Sequence, residues 1–254
     1  MVVESDELSR RLDALRRDYH SLVERLEANE REFRRLGRAA FRVEEEERRR
    51  LARELHDGLG QNLTALKHRL SLLADRIGES HPALLDEIGE SLALCTQSLA
   101  ETRELSRLLR PQVLDDLGLE AALEWLARTL GAGRLPVTVN AAGLPAIDPA
   151  LETLVFRIAQ EALANVLRHA NASQAIVSAR VRGGLLRLTV WDDGPGFDVQ
   201  AALEKSRRGE STGLGGMQDR VALYGGQLRL ESGVDGSRLE AVLPMPGEAG
   251  ILPA

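Results

Sequence analysis

Cysteine and aromatic residues are the scarcest features of this 254-residue chain. The lone cysteine, Cys95, excludes an internal disulfide framework and fits a reducing cytoplasm. Aromatics make up 3% of the residues, and leucine dominates the apolar set, which favours helix-rich packing. No apolar run approaches the roughly 20 residues that span a bilayer, and the opening "MVVESDELSRR" has no signal-peptide apolar segment. A net charge of -6 lacks the basic balance of a general nucleic-acid binder. What remains, 43% hydrophobic and 28% charged, is a chain long enough for more than one packed unit.

The first third is helical in pattern. Apolar residues recur at Leu8, Leu12, Leu15, Tyr19, Leu22, Leu26, Phe33, Leu36, Ala40 and Val43, in steps of four and three, with Asn29 in the one polar slot. This seam predicts a coiled coil, whose polar slot fixes register. The block "EEEERRR" then reads as a solvated face, with a switching role as the sharper reading. The stripe resumes at Leu51 and Leu55 out of the earlier phase, a break that locally changes a supercoil. It continues through Leu59, Leu66, Leu73 and Ile77, and a second stripe runs from Leu84 through Ile88, Leu92, Cys95, Leu99, Thr102 and Leu105 to Leu109. Two such helices joined at "GESHP" make an antiparallel hairpin. A single hairpin cannot bury both stripes, so the economical solution is a homodimeric four-helix bundle.

The pattern changes near "RPQVLDDLGLEAALEWL". "PVTVN" reads as a strand and "LETLVFRIAQEALANVLRHA" as a long helix opened by Asp148-Pro149. "QAIVSARVR" and "LLRLTVW" alternate around Gly183-Gly184 as a hairpin, and "QLRLES" and "RLEAVLP" form another around "GVDG". The expectation is an α+β sandwich: one mixed sheet with helices on one face.

Four stretches carry chemistry. In "ELHDGLGQN", His56 and Asp57 stand in a helix beside Gly58 and Gly60, although a glycine costs a helix interior about 1 kcal/mol. An exposed polar patch and a sterically accessible reactive histidine both fit. In "QEALANVLRHA", Glu161, Asn165 and Arg168 share a helix face; an Asn oxygen suits Mg²⁺ and Arg suits phosphate. "WDDGPGF" ends a strand in a glycine turn that a flat ligand can approach, with Asp192 able to accept from an exocyclic amine. "STGLGGMQDR" sets glycines at a helix N-terminus, a phosphate cradle. The polar stretch from Asp198 to Thr212 reads as a lid without strong periodicity. Of the remaining histidines, His20 falls in the coiled coil, His81 precedes the loop proline, and His68 points away from His56 by helical phase.

The last three clusters, in this order, resemble the N, G1 and G2 boxes of the GHKL (Bergerat-fold) ATP-binding superfamily. The resemblance implies ATP as ligand, with Asn165 holding Mg²⁺ and Asp192 binding the adenine amine. It implies that Gly194, Gly196, Thr212, Gly213, Leu214 and Gly215 shape pocket and lid, and that His169 closes the N box beside it. Arg168 stands where such kinases often carry Lys. Upstream, "RRRLARELHDGLGQNLTAL" is similar to the phosphoacceptor helix of two-component sensor histidine kinases, in the branch typified by the nitrate and membrane-fluidity sensors. "LLRPQVLDDLGLEAAL" is similar to the segment joining hairpin to ATP domain in that branch, so the resemblance runs from Glu45 to Pro244.

The resemblance implies four parts: a coiled-coil helix at 1–44, a dimerisation and phosphotransfer hairpin at 45–112, a catalytic domain at 113–246 and a tail at 247–254. It implies autophosphorylation of His56, with Asp57 orienting the imidazole and Glu161 assisting at the metal. Gln61 would orient water for dephosphorylating the partner. The implied partners are a second copy and a response regulator with a helix-turn-helix output domain; no direct nucleic-acid binding and no membrane span in this chain are expected. GHKL domains serve many functions, and the competing class is a coiled-coil scaffold that binds nucleotide without transferring phosphate.

Overall fold

The computed structural model describes residues 2–78, 81–109, 111–210 and 213–245, with side chains from residue 15 onward. Helix α1 (Val2–Glu54) runs without a break into a π turn (Leu55–Gly60) and on into α2 (Gln61–Ile77). Helix α3 (Pro82–Leu109) folds back along α2 as the hairpin expected from the two stripes. Two side chains bond across it: Cys95 Sγ donates to the Leu63 carbonyl at 3.5 Å, and Ser106 Oγ donates to that of Ala52 at 2.9 Å. Within α3 only Ile88, Cys95 and Leu99 are buried. Leu59, Leu66, Leu73, Leu84, Leu94 and Leu105 stay exposed.

The seam of α1 is likewise uncovered within one chain, at Leu15, Tyr19, Leu22, Leu26, Phe33, Leu36 and Val43. A different face of the same helix is not. Phe41 is 5% exposed and belongs to the core of the downstream domain, and Glu45 is 6% exposed. The solvated reading of "EEEERRR" therefore fails at Glu45, because a second packing face runs beside the heptad seam. Among the described residues, no helix is long and apolar enough to cross a membrane.

Helix α4 (Gln112–Gly131) follows, kinked at Gly118, whose φ of 78° ends one helical piece and starts the next. Strand β1 (Val137–Asn140) leads to α5 (Pro149–Asn165), which Asp148 caps by accepting from the Ala150 and Leu151 N–H groups. A second π turn (Val166–Ala170) extends α5. Then come β2 (Ala175–Arg182), β3 (Leu185–Asp192), α6 (Val199–Arg207), α7 (Gly213–Leu223), β4 (Gln227–Gly233) and β5 (Gly236–Pro244). The lid region, read as aperiodic, contains the nine-residue α6, capped by Asp198 on the Ala201 N–H.

The five strands lie in the order β1-β2-β3-β5-β4, with β1 parallel to β2 and the rest antiparallel. One face is covered by α4, α5 and α7, which bring Leu123, Leu126, Leu154, Phe156, Ile158, Leu163 and Met217 to near-complete burial. Alternation on β3 turns Leu186, Leu188 and Val190 inward, and Asp192 is the next residue of that row. A carboxylate thus occupies the last position of an otherwise apolar inner row.

Candidate ATP site and phosphoacceptor helix

A cavity of about 500 Å³ opens between α5, its π turn, the end of β3 and the start of α7. It is lined by Glu161, Asn165, Arg168, His169, Asp192, Gly196, Gly213 and Leu214, all named from sequence. The sequence reading missed Phe197, Lys205, Leu230 and Arg238, which line it too. Lys205 was legible only as one charge in a polar stretch; α6 is what turns it to the cavity.

Asp192 is 4% exposed, and one carboxylate oxygen, Oδ1, accepts the Gly194 N–H at 3.0 Å. Burial pushes its pKa above the ordinary value of 3.8, the Gly194 N–H opposes this, and the neighbouring Asp193 adds to the rise. The second oxygen has no protein partner among the described residues, an unfilled acceptor on the cavity wall. Asp193 has a different task. It accepts from the Ser173 N–H and hydroxyl and the Gln174 N–H, which lower its pKa and tie the strand end to the loop before β2.

Gly196 adopts φ 76°, and a Cβ there would overlap the Gly233 backbone, so this turn admits only glycine. Gly213 begins α7 directly against Glu161: an added Cβ would stand 2.5 Å from Glu161 Oε1 and 3.6 Å from Asn165 Nδ2. A carboxylate and an amide therefore converge on the N–H groups of a helix N-terminus. Hard oxygens few in number fit Mg²⁺, which keeps most of its shell in phosphate oxygens and water. Gly194 and Gly215 do not line the cavity but hold its walls, Gly194 against the Ala170 carbonyl and Gly215 by donating its N–H to Ser206 Oγ at 2.9 Å. Thr212 lies outside the described residues.

His56 sits in the first π turn, exposed, as are Asp57 and Gln61. A separate cleft of about 420 Å³ between α2 and α3 is lined by His56, Gly60, Gln61, Thr64, Ala65, His68, Thr102 and Arg103. His68 therefore faces the same cleft as His56, against the helical-phase expectation. Twelve residues of α-helix leave a pair roughly 120° apart, and the wider i→i+5 turn takes up about one extra residue of rotation. No hydrogen bond joins His56 to Asp57; adjacent helical residues diverge. Among the described residues the two cavities share no lining residue.

Residues 47–114 match the family described as Histidine kinase, and residues 150–247 match Histidine kinase-, DNA gyrase B-, and HSP90-like ATPase. The chain is similar to the sensor histidine kinase MctS of Rhizobium johnstonii, 38% identical over 205 residues, covering 80% of this chain and 44% of MctS. It is also similar to the sensor histidine kinase ComP of Bacillus subtilis, 32% identical over 204 residues, covering 78% of this chain and 26% of ComP. The chain thus spans less than half of either relative. A solved structure, the blue-light activated histidine kinase EL346 of Erythrobacter litoralis, aligns with TM-score 0.45 and 18% identity over 73% of this chain and 59% of that one. Carrying both the histidine-bearing helical domain and the ATPase domain in one chain, this protein belongs to the histidine kinase family.

Proposed function

We propose that the chain is the kinase core of a two-component sensor: it transfers the γ-phosphoryl of ATP to His56 and then to an aspartate of a response regulator. The observation that carries this is a solvent-open histidine on a hairpin in the same chain as a cavity built from Glu161, Asn165 and Asp192. The free oxygen of Asp192 accepts the adenine amine, while the α7 N-terminus with Arg168 and Lys205 meets the phosphates. Asn165, with Glu161 beside it, would hold Mg²⁺, which would supply charge neutralisation for the phosphoryl group in transfer.

In the transfer step a neutral imidazole nitrogen of His56 attacks the γ-phosphorus as the bond to the ADP oxygen breaks. The positive charge left on the ring is balanced by Asp57, which also holds the other ring nitrogen once its rotamer turns toward the histidine. In the second step the P–N bond breaks, the regulator's carboxylate takes the phosphoryl group, and neutral His56 is restored. Gln61, in the same cleft, orients the water that hydrolyses the regulator's acyl phosphate.

The exposed leucines of α2 and α3 and the seam of α1 support a homodimer with 1–44 as coiled coil, 45–112 as bundle and 113–246 as ATP-binding unit; residues 247–254 lie outside those described. Sedimentation as a monomer at micromolar concentration would overturn the dimer. The branch resemblance supports a regulator with a helix-turn-helix output domain, and ATP as substrate supports the cytoplasm as the place of reaction.

Incubation with [γ-³²P]ATP tests the central reading. The expected result is an acid-labile, base-stable label on the wild-type chain and none on His56→Gln. Full labelling of His56→Gln overturns the assignment. Nucleotide binding without any label overturns the kinase in favour of a scaffold.

A further inference from the structure

Arg157 is 4% exposed and makes five hydrogen bonds, one for each N–H it carries. Nε and Nη2 form a fork on the two carboxylate oxygens of Glu45, each at 2.8 Å. Nη2 also donates to the Leu109 carbonyl at 2.6 Å, and Nη1 donates to the Leu108 carbonyl at 3.3 Å and to Gln160 Oε1 at 2.8 Å. Gln160 Nε2 in turn donates to the Leu108 carbonyl at 3.0 Å. One side chain of α5 therefore grips both the long N-terminal helix and the end of α3.

A second row of contacts continues the grip along α1. Arg38 Nε donates to the Leu223 carbonyl at 2.8 Å, and its guanidinium lies 4.9 Å from the Tyr224 ring centre. Phe41 meets the same ring edge-on at 6.4 Å. Gly37 faces Leu223 so closely that any Cβ would overlap it.

In this docking the ATP cavity and His56 do not meet: among the described residues none lines both the cavity and the cleft of His56. Glu45 precedes His56 by 11 residues, roughly 16 Å of helix, and among the described residues none of α1, α2 or α3 lines the cavity. His56 meanwhile opens onto a cleft that the ATP-binding domain leaves uncovered. A buried, forked ion pair is a poor source of net stability against an apolar packing, but losing one partner strands a charge. Such a pair suits a contact that must be specific when made and must also come apart. When the domain swings away, Arg157 and Glu45 both reach water.

Resting on the kinase reading above, we propose that Arg157 and Glu45 form a latch that parks the ATP-binding domain on the signalling helix, so that His56 is phosphorylated only when the latch opens. The seam residues Leu36 and Val43 lie roughly 140–200° round α1 from Phe41 and Glu45. A helix that pairs with a second copy through one face thus holds the ATP domain with another, and turning or sliding it opens the latch. Arg157 is a positioning residue here, four residues before Glu161 on the same helix.

The test uses Glu45→Gln and Arg157→Lys in the full chain, with a thermal melt to show that each folds. Opening is read without any reaction, by small-angle scattering: both variants are expected to show a larger radius of gyration than wild type. Initial autophosphorylation is expected to rise at least fivefold in Glu45→Gln, with ATP affinity, measured by calorimetry, unchanged within twofold. Unchanged scattering, or open variants that label no faster than a labelling wild type, overturns the latch. Open variants in a protein that never takes label overturn the kinase reading and support the latch as a mechanical contact.

Discussion

Replacing Asp192 by Asn separates binding from stability, because the buried carboxylate serves one at the expense of the other. Its pKa is raised in the folded chain, chiefly by burial. Between the ordinary 3.8 and that higher folded value, the native state therefore holds more protons than the unfolded one. Stability accordingly falls as pH rises through this window and stays lower above it. Asn keeps an oxygen for the Gly194 N–H but carries no charge to desolvate. At pH 7 the unliganded variant should melt no lower than wild type, and by pH 3.5 any advantage should vanish. ATP loses a charge-assisted hydrogen bond worth about 1.5–3 kcal/mol, which weakens its binding about 10- to 150-fold. Titration calorimetry with ATP and Mg²⁺ at pH 7, with melts from pH 3.5 to 8, measures both effects. Affinity within threefold of wild type would refute the role of the unfilled oxygen. A variant that melts clearly lower at pH 7 would refute the claim that this carboxylate is held at a cost.

Gln61→Ala should leave autophosphorylation within twofold while slowing dephosphorylation of a phosphorylated regulator at least tenfold; equal loss in both assays would instead make Gln61 a structural residue at the start of α2. Gly196→Ala should destabilise by about 1–3 kcal/mol from its left-handed φ alone, and by more from the overlap with Gly233, lowering the urea midpoint. An unchanged midpoint would show that the turn has another conformation available.

Much of the site was readable because its chemistry is local in sequence. Asn165 follows Glu161 by one helical turn, and Asp192 ends a strand whose alternation is plain, so backbone periodicity alone aims both side chains. Lys205 was not readable, since its direction depends on a short helix set by the Asp198 cap and the Ser206–Gly215 bond rather than by an apolar stripe. The docking of α1 was hidden for a different reason. A heptad seam accounts for one face of a helix and leaves Gly37, Phe41 and Glu45 looking like filler among charges. Their partners, Leu223, Tyr224 and Arg157, are more than 100 residues away. The kinship of His68 with the His56 cleft failed on arithmetic: a count at 3.6 residues per turn cannot anticipate a π turn.

That π turn also acts as a gear between the two halves of the long helix. It contains one residue more than an α-helical path would need, so α1 and α2 keep independent angular settings on a shared axis. Straightening the turn into α-helix with every residue kept would release the surplus as a rotation of one half against the other by roughly 100°. Either the Leu63–Cys95 side of the hairpin or the Glu45 side of the upper helix would then lose its mate. The out-of-phase restart of the leucine stripe at Leu51 and Leu55 is, in this light, an offset built into the shaft. His56 sits at the joint between the two halves.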